Sequence, residues 1–385
     1  MESLTSNPFF VLPLASLRDI IRAPVSVSVR GRDQRAWVEV DLAAVSENAR
    51  TVARVAGTRL LPVVKANAYG VGAVAVSKAL EALDPWGYGV ATVDEGAELR
   101  AAGITRPVVV FMPGQPALFP ELERFRLTPV LGDAAAIGEW TARGERAFHL
   151  EIDTGMGRSG VRWDEIDQVR AAADTPSLEG CYTQFHSADR RDGTAEQQLE
   201  RFEQAVARLA RRPPLLHVAN SAAALSGRQF AFDLVRPGVF LYGGSPGAGF
   251  PEPRPVVSVR ARVLAVRRVA AEESVSYNAA WRAARPTTVA TIGIGYADGL
   301  RRSLGLSGRG AVLIRGRRHP IIGAVTMDMT MVETGDHPVQ VGDVATLIGA
   351  ADGGRITLEE FAGWSDELQR AVLTSLGPRL RRIYD

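Results

Sequence analysis

The sequence predicts an α/β protein, a (β/α)8 TIM-type barrel followed by a mostly-β C-terminal domain. Three observations carry this. Eight short strand-like runs alternate with helical patterns between Leu60 and Gly243, which is the period of such a barrel. After about Pro251 the pattern turns to β-branched runs separated by Gly and Arg turns, the signature of a separate β-rich layer. Between the two regimes lies GGSPGAGFPEPRP, a Gly/Pro-rich stretch of the kind that joins domains.

The barrel is placed at residues 37–250, after an extension over residues 1–34. Its runs are LLPVV (60–64), WGYGVAT (86–92), PVVVFM (107–112), LTPVL (127–131), FHLEID (148–153), LEGCYTQF (178–185), LLHVA (215–219) and FDLVRPGVFLYG (232–243). Helical patterns between them cover Val74 to Leu83, Val93 to Ala102, Ala134 to Arg143, Asp164 to Ala173 and Ala195 to Arg211. A first strand near residues 37–41 is open to packing with the C-terminal domain. A doubly wound sheet is the competing architecture, but no G-x-G-x-x-G opens a first helix. The C-terminal domain is placed at 251–385. Its strands are expected at Val256 to Val269, Thr287 to Ile294, Ala311 to Ile314, Ile321 to Val325 and Val344 to Ile348. Helical signal returns only at Thr357 to Phe361 and Asp366 to Leu376.

The chain has 385 residues, 46% hydrophobic and 23% charged, a profile that can bury a large core. A net charge of +2 with both signs interspersed points to neither nucleic acid nor an acidic membrane surface. One cysteine, Cys181, excludes an internal disulfide and a Cys-rich metal site and fits a reducing, cytoplasmic compartment. No apolar stretch reaches the length of a membrane span. The N-terminal apolar patch from Phe9 to Leu17 lacks a positive n-region and an A-x-A cleavage site, so it reads as a loosely held extension rather than a secretion signal.

Lys65 is the residue out of place. It ends the aliphatic run LLPVV, where an ammonium in an apolar layer costs several kcal/mol unless its pKa falls or it is chemically converted. The polar turn Ala66-Asn67-Ala68-Tyr69-Gly70 and a helical pattern follow, and a barrel carries its chemistry at such strand ends. The plainer reading is a lysine that snorkels to solvent. A barrel-strand lysine can form a Schiff base, most commonly with pyridoxal phosphate (PLP). That group needs a phosphate cradle, a partner for its ring nitrogen and a proton carrier opposite the lysine. HVANSAAAL places Ser221 where a helix opens. LVRPGVFLYG supplies Arg236, with Gly238 and Val239 behind it, and a glycine lets backbone N–H approach a phosphate closely. VSYNAAW supplies Tyr277 and GIGYADG supplies Tyr296. Taken singly, these segments read more readily as an N-cap, a turn and a hairpin than as parts of a site.

Together VVKANAYG, DTGMGRSGV (153–161), HVANSAA, VRPGVFLYG, VSYNAAW, GIGYADG and VTMDM (325–329) resemble the successive motifs of the bacterial alanine racemase family, in that family's order. The similarity runs from about residue 36 to 385. It implies a PLP-binding barrel and β-domain in a head-to-tail homodimer that interconverts L- and D-alanine and supplies D-alanine for peptidoglycan. By the same resemblance Lys65 is the Schiff-base lysine and one base, and Tyr277 is the second base, reaching the other subunit's site. Arg236 faces the pyridine nitrogen; Tyr69, Ser221, Gly238 and Val239 bind phosphate. Arg158 lies near the cofactor's phenolic oxygen and the substrate carboxylate, Met327 adds to the carboxylate site, and Asp328 orders that loop. Two bases flanking one Cα are what racemisation needs. An arginine cannot take the ring proton, which favours proton return over decarboxylation.

Four departures from the family pattern stand out. Val71 replaces a histidine in the lysine motif. Gln184 replaces a histidine packed on the pyridine ring, and His186, two residues on, shares its face if the strand continues. Pro378 falls near a phosphate-binding tyrosine, with Tyr384 too far along to replace it. Glu151 stands where many members carry a carbamylated lysine, and so is expected to orient Arg158 directly. The rival readings are a broad-specificity amino-acid racemase, a decarboxylase, which Arg236 disfavours, and a non-catalytic PLP-binding barrel.

Overall fold

Eight parallel strands close a ring: Arg59–Leu60, Tyr88–Val90, Val108–Pro113, Thr128–Leu131, Phe148–Asp153, Leu178–Tyr182, Leu215–His217 and Leu234–Val235. The structure is a computed structural model and describes residues 34–385. The extension expected over residues 1–34 therefore lies, save for its last residue, outside the described residues. Parallel pairing is continuous from the second strand to the seventh, and the eighth pairs with the first. Two seams close through individual backbone bonds. Asp233 N–H donates to Leu216 O at 3.0 Å and Arg236 N–H to Ala219 O at 2.8 Å, joining the eighth strand to the seventh. Gly89 N–H donates to Pro62 O at 2.9 Å and Val64 N–H to Gly89 O at 2.8 Å, joining the first to the second.

The barrel is filled, as alternation along its strands requires. Leu61, Val109, Val130, Tyr182, Leu215 and Leu234 form one buried inner layer, with Trp86 and Phe111 against it. The surrounding helices begin where the sequence offers caps. Thr92 and Glu95 form a capping box for Val93–Ala101, and Asp133 Oδ1 accepts the Ala136 N–H at 2.8 Å to start Ala134–Ala142. Leu42–Ala56 is a helix the hydrophobic pattern did not bring out, although Asp41 caps its start and Gly57, at φ 69°, its end. Its Asn48 reaches Leu241 O at 3.3 Å and Arg254 O at 3.0 Å, fastening the barrel to the interdomain stretch. The run at 232–243 is strand only at Leu234–Val235, because Pro237 and Gly238 break it before the 3-10 turn Val239–Tyr242.

The second domain is a curled antiparallel sheet. Val257–Val269 pairs with both Thr287–Ile292 and Val344–Ala351, and through Thr330–Glu333, Arg317–Ile322 and Ala311–Ile314 the path closes on itself. Val257, Val259, Ala261 and Val263 are buried while Ser258, Arg260 and Arg262 between them are not, the alternation of a strand with one buried face. A bulge between Val263 and Ala265 turns the strand from one set of partners to the next. Ala36–Val40 pairs antiparallel with Val257–Ala261 and parallel with Arg381–Tyr384, so both described ends of the chain lie in this sheet. The strand expected at 321–325 occurs earlier, at Arg317–Ile322, paired to Ala311–Ile314 across a tight turn at Arg315 and Gly316.

Candidate active site

Lys65 stands at the end of the first barrel strand, where the backbone turns left-handed. Ala66, Asn67, Ala68 and Tyr69 all have φ between 52° and 55°. Each non-glycine residue held there costs about 1–2 kcal/mol, so the turn survives only because its surroundings over-determine it. Ala68 N–H donates to Val64 O at 2.7 Å and Gly70 N–H to Ala66 O at 2.8 Å within the turn. Asn67 Oδ1 takes the Ala73 N–H at 2.8 Å and so starts the helix Ala73–Leu80. Glu95 Oε1 takes the Ala66 N–H at 2.7 Å from the neighbouring loop, and Arg382 Nε donates to Gly70 O at 2.9 Å from the second domain. Burial lowers the Lys65 pKa; the Arg158 charge lowers it further, Glu95 opposes, and Arg236 adds a smaller lowering effect.

Tyr69, at the end of this turn, stacks on Tyr242 with ring centroids 4.9 Å apart. Its hydroxyl points at Gly238: a Cβ built there would come within 2.5 Å of Tyr69 Oη. Ser221 Oγ accepts the Gly238 N–H at 2.9 Å and the Phe240 N–H at 3.4 Å. Tyr69, Ser221, Gly238 and Val239, expected to share one task, are thus drawn from the loops after the first, seventh and eighth strands to one place. Hydroxyls and backbone N–H groups around a glycine make a cradle for a phosphate-sized anion.

Arg236 is buried at the end of the eighth strand. Nη1 donates to His217 O and lies 3.1 Å from His217 Nδ1; Nη2 reaches Thr183 O at 2.8 Å, Val218 O at 3.2 Å and Gln184 Oε1 at 3.3 Å. None of these bonds uses Nε. Tyr182 lies under the guanidinium at 4.9 Å and stacks on His217, 7° from parallel. Burial pushes the Arg236 pKa down to about 10, with Tyr182 and Glu151 holding it up, so it stays a cation at neutral pH. Gln184 is thereby a partner of Arg236. His186 does not share its face: the strand ends at Tyr182, and His186 is exposed with Nδ1 2.7 Å from Ser187 Oγ.

Glu151 and Arg158 face each other across the barrel mouth, Arg158 Nη2 lying 3.9 Å from Glu151 Oε1. The glutamate side chain is 5% exposed and the arginine 55%, and Glu151 Oε2 has no partner among the described residues. Burial raises the Glu151 pKa, while Ser159, the Arg158 charge and Tyr182 pull it back. An unpartnered buried acceptor beside an exposed guanidinium can take one more donor.

The second-domain residues do not join this cluster within one chain. Tyr277 is 68% exposed in the turn Tyr277–Ala279, and Tyr296 and Met327 are exposed on neighbouring loops. Ala297 N–H donates to Met327 O at 3.0 Å, and Asp328 Oδ1 takes Arg379 Nη2 at 2.5 Å, so the Tyr296 and Met327 loops are one unit. Pro378 offers no hydroxyl, and Tyr384 Oη instead abuts Gly72, where a Cβ would fall 1.9 Å from it. His149, His217 and Glu95 escaped the sequence reading, although histidines inside the runs FHLEID and LLHVA were the visible sign of a polar barrel interior.

A barrel with an activated lysine at its first strand, an anion cradle at its last two and a β-domain fastened to both ends of the described chain defines a class of two-domain lysine-bearing barrel enzymes. Within it the chain belongs to the alanine racemase family: residues 40–246 match the description "Alanine racemase, N-terminal domain" and residues 256–384 "Alanine racemase, C-terminal domain". A curated alanine racemase from Symbiobacterium thermophilum is 40% identical, over 90% of this chain and 96% of its own. The solved alanine racemase from Bacillus anthracis with bound L-Ala-P superposes with TM-score 0.85 at 31% identity, covering 91% of this chain and 95% of that one. That from Bartonella henselae, with covalently bound pyridoxal phosphate, gives TM-score 0.83 at 30% identity over 91% and 100%.

Proposed function

We propose that this chain is an alanine racemase that holds PLP through Lys65 and works as a head-to-tail homodimer. The observation that carries the reading is the placement of Lys65: a lysine of lowered pKa beside a phosphate-sized cradle and a buried arginine. The residues fit the cofactor. Gly238 lets the Tyr69 hydroxyl come up against its backbone, Ser221 holds the Gly238 N–H with Val239 next in the chain, and Arg236 keeps Nε–H for a ring nitrogen. Once bound, PLP would withdraw electrons from an amino acid joined to it and so acidify the Cα–H.

The chain's own groups then decide the outcome. A lowered pKa leaves more of Lys65 as free amine, able to bond the cofactor and afterwards to carry a proton at Nζ. Tyr277 of the partner subunit carries the proton on the opposite face. Arg236 stays protonated and would hold the ring nitrogen by a hydrogen bond without giving up its proton, which would limit electron withdrawal and favour returning the Cα proton over losing a carboxylate. Glu151 orients Arg158 toward the substrate carboxylate without carbamylation, and Met327 of the partner subunit adds to that site on a loop that Asp328 orders. No described helix is long and apolar enough to cross a membrane. Membership of the alanine racemase family supports a cytoplasmic enzyme whose D-alanine serves peptidoglycan.

Borohydride reduction of the cofactor-loaded protein should fix pyridoxyl label on the peptide carrying Lys65, and L-alanine should yield D-alanine faster than other L-amino acids do. Label on a different lysine, or none, removes the basis of this reading.

A further inference from the structure

We propose that Glu95 is a positioning residue for Lys65, its carboxylate pinning the left-handed turn that aims the amine; the proposal rests on Lys65 being the reactive amine. In a capping box the glutamate closes back on the N–H of its own N-cap. Here that bond, from Thr92 N–H to Glu95 Oε2, is the long one at 3.3 Å. The short bonds go elsewhere: Ala91 N–H to Oε2 at 2.7 Å, and Ala66 N–H to Oε1 at 2.7 Å, 29 residues back along the chain. One carboxylate therefore ties the exits of the first and second barrel strands together at the residue after Lys65.

Ala66 is also where the strain begins. Its φ of 52° opens the run of left-handed residues through Tyr69, and only a group outside the turn can hold its N–H, since the first N–H of a helical turn has no acceptor within it. At the other end Arg382 Nε fixes Gly70 O at 2.9 Å. Released at Ala66, the backbone is free to relax toward a right-handed turn, and the Lys65 side chain loses its fixed direction near Arg158 and Arg236. The same carboxylate is the anionic neighbour that opposes those two cations around the amine, so loss of its charge has a second, separable consequence.

Two readouts on the full-length chain test this. By hydrogen exchange, Glu95→Gln, which keeps one acceptor and no charge, should speed exchange of the segment 64–72 by about 10-fold, while Val93–Ala101, still capped by Thr92, changes little. In protein stripped of cofactor, the pH midpoint for acylation of Lys65 should fall by about one unit in Glu95→Gln and Glu95→Ala. Thr92→Ala, which removes only the cap, should leave that midpoint in place. Unchanged exchange and an unchanged midpoint in Glu95→Gln overturn the proposal, as does a Thr92→Ala shift of equal size; should Glu95→Ala fail to fold, Glu95→Gln alone decides. Absence of borohydride label on Lys65 in the unsubstituted protein would instead sink the functional reading and leave these midpoints untouched.

Discussion

Arg236 Nη1 lies 3.1 Å from His217 Nδ1, and that one contact fixes the protons of a chain of side chains through the barrel. The guanidinium can only donate, so His217 Nδ1 accepts and its proton resides on Nε2. His217 Nε2–H then donates to His149 Nδ1 at 2.8 Å, and His149 Nε2–H to Glu179 Oε2 at 3.3 Å, at the barrel rim. Burial, with His149 and Arg236 as neighbours, holds the His217 pKa well below the usual histidine value, so the ring stays neutral and the tautomer holds.

That network makes the fork of Arg236 hard to replace. Lysine keeps the charge, but a single ammonium cannot reach His217 O, Thr183 O, Val218 O and Gln184 Oε1 together. Each buried carbonyl left unpaired costs about 1–3 kcal/mol. Arg236→Lys should therefore lower the unfolding midpoint by several degrees and cut racemisation by about 100-fold. Parallel measurement of melting and of D-alanine formation checks this, and a fully active Arg236→Lys would show that the fork is dispensable.

Gly238→Ala isolates the cradle. The added methyl would come within 2.5 Å of Tyr69 Oη, so either the tyrosine or the loop must move. Affinity for PLP should fall at least about 10-fold, a loss of about 1.4 kcal/mol, while affinity for pyridoxal without its phosphate stays near that of the unsubstituted protein. Titration with both aldehydes separates a phosphate effect from general damage; equal losses would place the phosphate elsewhere.

Glu151 supplies its own negative charge. With Oε2 unpartnered and Arg158 at 3.9 Å from Oε1, Glu151→Ala should raise KM for alanine about 10-fold by releasing Arg158. Bicarbonate should neither rescue that variant nor alter the unsubstituted enzyme. Rescue by bicarbonate would mean that an anion from solution can take the place of the Glu151 carboxylate beside Arg158.

Shared sites make a further expectation concrete. Within one chain Tyr277 is exposed on the second domain while Lys65 ends a barrel strand. Mixing Lys65→Ala protein with Tyr277→Phe protein should restore about a quarter of the activity of the unsubstituted enzyme after subunit exchange. That figure follows if half the dimers are mixed and each carries one intact site of two. No recovery would separate Tyr277 from the chemistry.

Much of this was legible in the sequence because its signals are local. LLPVVKANAYG announces a buried strand meeting a polar turn, and the Gly/Pro stretch at 243–255 announces a junction. What escaped depends on contacts remote in sequence. The Ala66–Tyr69 turn is held left-handed by Glu95 and Arg382 from two other elements, and of its four residues only Asn67 visits that region readily on its own. Strands Ala36–Val40 and Arg381–Tyr384 are short, and only each other and Val257–Val269 make them strands. Gln184 reads as a lost ring-stacking histidine until Arg236 is seen bonded to its Oε1.

Acid should find the second domain through His319. This ring is buried on Arg317–Ile322, with Nε2 3.2 Å from His337 Nδ1. Burial, then the His337 and Arg317 charges, lower its pKa to about 4, against backbone contacts from Glu333 and Ile314 that raise it. In the unfolded chain a histidine titrates near 6.5. Between those values the unfolded state binds a proton that the fold refuses, so stability is intact above about pH 6.5 and drains away as pH falls toward 4. His319→Gln cannot take up that proton. Its melting temperature should start lower at pH 7.5, having lost the bond to His337, yet fall less steeply between pH 6.5 and 4 than that of the unsubstituted protein. Two parallel melting curves across that window would show that His319 is not the group acid attacks.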